Sequence, residues 1–524
     1  MKLSVSPLLL FISFILIDSL SAMAPRVVPG QAATGKKGLI FHWFRGMDLR
    51  LHDNPALDRS ATICGKTSSE MIPVFCFDPR IFGNSARSEF GSLKCGPRRA
   101  KFVLESVADL RQSLEKKGCH LLVAYERPEE FFRKLLQELP TSNIGYEVTN
   151  VVYQDEVCSE EKAVELKVKK LFRSSEAVWG STLYELKDLP YSAGLQNMPD
   201  TFTPFRNKIE KQCTIHLPLA VPKQLPFPAM MDDMPSLKKY ASYMPTLADL
   251  GYTPEQVESV QTVDPRGVMN FQGGETAALA RVQDYIWDKD LLSKYFDTRN
   301  GMIGADYSSK FAPWLAHGNL SPRYVARECT KYEEQRVANK STYWLVFELV
   351  WRDFFKFFAL KHGTSLFFPG GTIGSNQPWK HYNKNLSAWI EGKTGFPLVD
   401  ANMRELAATG FMSNRGRQNV ASFLALELNQ DWRYGADYFE STLLDYDVHS
   451  NWGNWCAAAG MTGGRLNRFN IVKQSKDYDQ HGDYVRHWLP ELKNVPTQFI
   501  HEPWKMNQFH QAEYNCRLGV DYPN

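Results

Sequence analysis

Gly38-Leu39-Ile40-Phe41-His42-Trp43-Phe44 is an almost unbroken apolar run, too short for a helix and too continuous for a strand with one wet face. It reads as a strand buried on both sides. The pattern recurs at Ile72–Phe77, Leu121–Tyr125 and Val148–Tyr153, and helical periodicity falls over Ala100–Lys117, Pro128–Leu139 and Ser159–Phe172. Strands alternating with helices predict a parallel sheet with right-handed crossovers, a Rossmann-like α/β domain over residues 38–186. No GxGxxG and no P-loop occur in it, which excludes a standard dinucleotide or nucleotide-triphosphate site.

Working outward, prolines crowd residues 187–265 (Pro218, Pro222, Pro226, Pro228, Pro235, Pro245, Pro254), which predicts a long irregular connector. Beyond Gly274 the texture turns helical over Glu275–Phe296, Pro322–Val337, Ser341–Leu360, Asp400–Gly410, Asn419–Asn429 and Asp437–Asp445. An all-α domain over residues 266–495 follows, with residues 496–524 as a C-terminal tail. A chain of 524 residues at 43% hydrophobic and 23% charged fits this multidomain reading and excludes disordered, collagen-like and disulfide-scaffold classes. The net charge of +3 provides no global field, so an anionic ligand must meet a local basic patch.

The N-terminus is not part of the fold. Lys2, the apolar run Leu8–Ile17 and the small residues before Pro25 read as a cleaved signal peptide, a signal or plastid presequence over residues 1–24, and residues 25–37 as a linker. The nine cysteines are odd in number and scattered without a CxxC pair, which suits a reducing compartment and speaks against a zinc or other metal site. Ser21-Ala22-Met23-Ala24-Pro25 resembles the Ala-Phe-Ala-Pro signature of algal plastid presequences, with Met for Phe. Plastid targeting reconciles presequence and thiols; another reducing compartment is the alternative. No other run reaches about 18 apolar residues, so no stable membrane anchor is expected.

Chemistry begins on the helix that opens at Ser341. Glu348, Trp351 and Arg352 fall three and four residues apart and share a face among Phe and Leu. Downstream come Gly410-Phe411-Met412-Ser413-Asn414-Arg415-Gly416-Arg417-Gln418, Leu444-Asp445-Tyr446-Asp447 and Asn451-Trp452-Gly453-Asn454-Trp455. A buried ion pair is compatible with a purely structural role. This much polarity between apolar helices suits a polar cofactor wedged among them.

These motifs, with Tyr307–Leu315, Leu320–Arg323, Phe347–Phe354, Asp400–Leu406 and Tyr484–Leu492, resemble the photolyase/cryptochrome family, most closely its DASH-type cryptochromes, over nearly all of residues 38–495. The resemblance implies FAD in the helical domain. Ser308, Ser309, Lys310 and Phe311 match the segment that meets the flavin pyrophosphate, and Tyr295 and Arg299 flank the phosphates and adenosine. Ala312 stands where Ser is common. Arg352, Arg417 and Asp445 match an ion-paired ring around the isoalloxazine, with Asp447 and Asn414 in polar contact. Asn451 matches the residue facing flavin N5, where a neutral amide meets a protonated nitrogen without adding charge. Trp455, Trp432 and Trp379 match the tryptophan chain that carries electrons from surface to flavin.

Two functions remain open on this resemblance. One is a blue-light photoreceptor that binds DNA and signals to a protein the sequence does not name. The other is a light-driven cyclobutane pyrimidine dimer photolyase, a carbon–carbon lyase that prefers single-stranded DNA, where flipping costs least. Glu348, Trp351, Asn414 and Arg415 match residues that contact the dimer and its phosphates. Ala457 departs from the family, which places Trp or Tyr at that wall. The α/β domain hosts an antenna pigment in this family, often methenyltetrahydrofolate, and Glu156 sits near the folate contact.

Overall fold

The computed structural model describes residues 36–139, 145–229, 234–381 and 383–524. The expected presequence and all but the last two residues of the linker lie outside them. Five parallel strands, β1 (Lys37–Phe44), β2 (Glu70–Phe77), β3 (Leu122–Tyr125), β4 (Tyr146–Gln154) and β5 (Ser175–Val178), form one sheet in the order β3-β2-β1-β4-β5. Central β1 is buried on both faces, Leu39, Phe41 and Trp43 in one layer and Ile40 and Phe44 in the other. The crossovers are α1 (Pro55–Thr67), α2 (Pro97–Glu115), α3 (Pro128–Glu138) and α4 (Ser159–Lys169). Two of these elements were not foreseen. The edge strand β5 (Ser-Glu-Ala-Val) is polar and only partly buried, and α1 is announced mainly by its cap, Asn54 Oδ1 accepting from Leu57 N at 3.0 Å.

The connector is not wholly irregular. It contains α5 (Phe202–Gln212), whose Phe202, Phe205 and Ile209 are buried against the helical domain. That domain is built on α6 (Glu275–Val282), α7 (Pro322–Gln335), α8 (Lys340–His362), α9 (Pro397–Thr409), α10 (Asn414–Ser422), α11 (Trp432–Thr442) and α12 (Val448–Ala458). The helix expected over Glu275–Phe296 breaks after α6 into a wide turn, Gln283–Asp288, and ends where Asp290 takes a positive φ of 55°. The helix expected over Asn419–Asn429 starts earlier and widens at Phe423–Glu427 before Asn429 turns left-handed. α11 starts ahead of the expected Asp437 because Asp431 caps it, accepting from Arg433 N at 3.0 Å. Residues 496–524 fold onto the helical domain, with Tyr522 buried and its hydroxyl donating to Asp400 Oδ2 at 2.5 Å.

Domain joining is polar and buried. Asp53 at the head of α1 accepts from Arg323 Nη2 of α7 at 2.6 Å and from Leu219 N of the connector at 2.8 Å. Asp353 of α8 accepts the backbone N–H groups of Leu183 and Tyr184 at 2.9 and 2.8 Å. Carboxylates here satisfy backbone donors that would otherwise be stranded between domains.

Candidate functional site

Between α8, α10 and α12 and the loop before Ala312 lies a cavity of about 970 Å³. Tyr295, Arg299, Ser308, Ser309, Lys310, Phe311, Arg352, Asn414, Arg417, Asp445, Asp447 and Asn451 all line it. So do Glu348, Trp351, Arg415, Ala457, Ala312 and Trp455. Sequence separations of up to about 160 residues thus converge on one space.

The loop at one end is shaped by Arg281, whose guanidinium donates to Ser309 O at 3.1 Å and Ala305 O at 3.0 Å. Lys310 takes a positive φ of 61° and is nearly fully buried, its Nζ donating to Ser308 Oγ at 2.9 Å. Burial and the neighbouring Arg281 push the ammonium down to about 6, against Glu405 and Asp306.

At the other end the charges alternate. Arg417 Nη2 forks onto Asp445 at 3.0 and 2.8 Å while its Nε holds Met412 O. Arg352 donates to Leu315 O at 3.2 Å and to Ser181 O, and lies 3.6 Å from Asp447 Oδ2. Asp447 caps α12 and pairs with His449 Nδ1 at 2.7 Å. Burial opposes its ionisation, but His449 and Arg352 hold the carboxyl well below its usual range. Asn451 donates its amide to Ala436 O at 2.9 Å, leaving the amide oxygen as its remaining acceptor. Toward the rim, Glu348 accepts from Arg299 at 3.0 Å and Trp344 at 3.1 Å; burial raises its pKa against Arg299. Arg415 is held by Gln418 and Asn300 over the Tyr478 ring.

The chain matches the family pattern described as "DNA photolyase" over residues 40–228 and "FAD binding domain of DNA photolyase" over residues 344–524. It is 48% identical over 501 residues to "Cryptochrome DASH, chloroplastic/mitochondrial" of Ostreococcus tauri, covering 92% of this chain and 89% of that one. To "Cryptochrome DASH" of Gloeobacter violaceus it is 48% identical over 489 residues, covering 92% and 91%. The chain is a DASH-type member of the photolyase/cryptochrome family. Its fold superposes on the Synechocystis sp. cryptochrome crystal structure with a TM-score of 0.83 at 46% identity, covering 93% and 96% of the two chains.

A DASH-type chain of this family binds FAD, and the cavity fits such a group. Among the described residues, its buried wall leaves Asp447 Oδ2, Tyr307 Oη and Arg299 Nε without hydrogen-bond partners, polar atoms suited to a dinucleotide-sized flavin. The tryptophans form an inside-to-outside series. Trp455 lines the cavity, Trp432 is fully buried, and Trp379 is half-buried. The indoles of Trp432 and Trp379 donate to one carbonyl, Pro369 O, at 3.2 and 3.0 Å. Trp455 packs on Gly435, one turn along α11 from Trp432, where a Cβ would overlap its ring.

Two features escaped the sequence, and a third site residue sits deeper than its neighbours. Phe202 lies flat on Trp351, centroids 3.6 Å apart at 8°, so one indole face is already covered. Its signal was the short Phe202–Gln212 periodicity inside a proline-rich stretch. Glu405 is buried near the Lys310 loop and accepts from Tyr484 at 2.6 Å. Glu156, matched near the folate contact, is buried: its Oε1 accepts from Gln154 at 2.8 Å, and Oε2 is 3.4 Å from the buried Lys356 of α8.

Proposed function

We propose that this DASH-type chain is a blue-light flavoprotein that is photoreduced through Trp455, Trp432 and Trp379 and binds DNA at the mouth of its cavity. The observation that carries the reading is that residues matched to flavin contact, residues matched to nucleic-acid contact and Trp455 line one continuous space. Bound FAD supplies a chromophore that absorbs blue light and accepts electrons. Ser308, Ser309 and Lys310 would hold its phosphates, where an anion would favour the charged form of Lys310 that burial opposes. Arg352 and the Arg417–Asp445 pair fix the ring system. The amide oxygen of Asn451 would offer an acceptor to the ring system. Trp455 gives up an electron, Trp432 refills it, and half-buried Trp379 meets external reductant.

The second reading, a dimer photolyase acting on single strands, is favoured by Glu348, Trp351, Asn414 and Arg415 sharing that cavity. Against it stand Ala457, which lacks a stacking face worth roughly 1–3 kcal/mol per base, and Phe202 on Trp351. Blue-light repair of a thymine dimer by flavin-loaded protein, on single-stranded and duplex oligonucleotides in parallel, separates the two. Turnover on the single strand establishes the lyase; none on either, with flavin photoreduction intact, establishes the photoreceptor.

We extend the reading to an antenna and a destination. The α/β domain takes methenyltetrahydrofolate as antenna in the neighbourhood of Glu156, which lies just past β4 and against Lys356 of α8. Residues 1–24 direct the chain to an organelle, the plastid; the names of the Ostreococcus tauri and Arabidopsis thaliana relatives, both "chloroplastic/mitochondrial", support this.

A further inference from the structure

His449, at the head of α12, is fully buried. Its Nδ1 lies 2.7 Å from Asp447 Oδ1, and the Ser450 hydroxyl stands 3.5 Å from the same nitrogen. Among the described residues Nε2 has no hydrogen-bond partner. Burial takes the imidazole below its ordinary pKa of 6.5 even though Asp447 opposes it, so the ring is neutral at pH 7. The Asp447 carboxylate can only accept, which fixes the ring hydrogen on Nδ1 and leaves the Nε2 lone pair bare. A side chain kept for packing alone would not strand a basic nitrogen in the interior.

The charges around that nitrogen balance. Arg352 and Lys356, one turn apart on α8, act on the ring from one side. Glu156, just past β4, is held ionised by Lys356, which lies 3.4 Å away and also donates to Ser181 Oγ at 2.8 Å. Asp447 lines the cavity, its Oδ2 3.6 Å from Arg352. The other titratable groups nearby add no net charge. Burial pushes the Cys158 thiol far up and takes His317 down to about 4, so both are neutral. Glu440 of α11 is engaged by Lys94 at 2.7 Å, and Arg417 of α10 by Asp445 at 2.8 Å. Two carboxylates, Asp447 and Glu156, thus face two cations, Arg352 and Lys356. One electron arriving in the cavity would leave this balanced cluster beside an uncompensated negative charge. In a buried setting that charge is weakly screened, and it raises the proton affinity of a vacant base beside it.

We propose that His449 is a redox-linked proton acceptor: as one electron enters the cavity, Nε2 takes one proton from solvent, and the imidazolium formed offsets the added charge through Asp447. No bond is broken; one electron and one proton enter together. The inference rests on the reading of the cavity as a flavin site that takes up an electron. The test uses FAD-loaded protein, isotope-labelled at the histidine nitrogens and reduced by dithionite, which supplies the electron whether or not Trp455 does. Failure here is therefore distinct from failure of the tryptophan route, which only photoreduction reads. Nitrogen NMR at pH 7 is expected to show His449, assigned by its loss in His449→Gln, as the Nδ1–H tautomer in the oxidised protein and as the imidazolium in the reduced one. Above about pH 6.5 the one-electron midpoint potential is expected to fall with pH more steeply in wild type than in His449→Gln. The difference is up to about 59 mV per pH unit, the worth of a tenfold change in proton concentration. Thermal melts confirm that the variant is folded. Equal slopes, or an imidazolium already present in the oxidised protein, would overturn the proposal. A wild-type spectrum in which no histidine ring changes state on reduction overturns it without any variant.

Discussion

At Lys310 and Glu405, burial rather than residue type sets the charge. Glu405 is pushed up to about 8 by burial, with Tyr484, Lys310 and Arg417 opposing. Between about pH 4.5 and 8 the native chain therefore carries one more proton at Glu405 than the unfolded chain, and stability falls by up to about 1.4 kcal/mol per pH unit. Lys310, lowered from 10.5 to about 6, acts in the opposite sense: between those values the unfolded chain binds the extra proton and stability rises with pH. The two cancel between about pH 6 and 8. In flavin-free Glu405→Gln the cancellation is lost, and the denaturant midpoint should climb with pH over that window relative to wild type; parallel curves would refute it. Ala457→Tyr, which rebuilds a stacking wall, is expected to strengthen binding of a dimer-bearing single strand by roughly 1–3 kcal/mol, measured by competition with the undamaged strand. Residues such as Ser308–Phe311 and Asn414–Arg417, which the fold brings to one cavity, were legible because they sit in dense motifs. Phe202 was not, because nothing local to Asp200-Thr201-Phe202-Thr203-Pro204 shows that it will lie on Trp351.

Among the elements, those with a strong period were legible and those set by tertiary contact were not. Strands β1 to β4 follow from unbroken apolar runs buried on two faces, whereas β5 needs β4 beside it before Ser175–Val178 pairs. The wide turns after α6 and α10 leave the same apolar residues facing the core, so periodicity passed through them unnoticed. The packing of α11 against α12 yields a sharper expectation. A Cβ at Gly435 overlaps the Trp455 ring and approaches Leu424 Cδ2 at 2.8 Å. Gly435→Ala should cost about 1–3 kcal/mol in denaturant unfolding and also slow flavin photoreduction. Unchanged photoreduction would mean that the ring's position is not what governs the transfer.

Over the whole molecule, the two domains are joined through charges whose partners lie far apart in sequence, which is why no local pattern announced them. Arg323 reaches both Asp53 and Glu185 at the junction of α1, α7 and the connector. Arg323→Met takes the guanidinium from the buried Asp53 and should destabilise the chain by about 3–5 kcal/mol, seen as an earlier unfolding transition of both domains together. Loss of the helical domain alone would show that the join does not couple them. Lys356 does similar work from α8, tying Glu156 and Ser181 of the sheet side to the helix that carries Arg352 and Trp351. On the proposed reading, the arrangement as a whole serves one event, delivery of an electron to the cavity from Trp455. That event is tested most directly by the rate of flavin photoreduction under blue light with an external reductant, in wild type and in Trp455→Phe loaded equally with FAD. A rate at least tenfold slower in the variant is the predicted result; a rate equal to wild type would contradict the account.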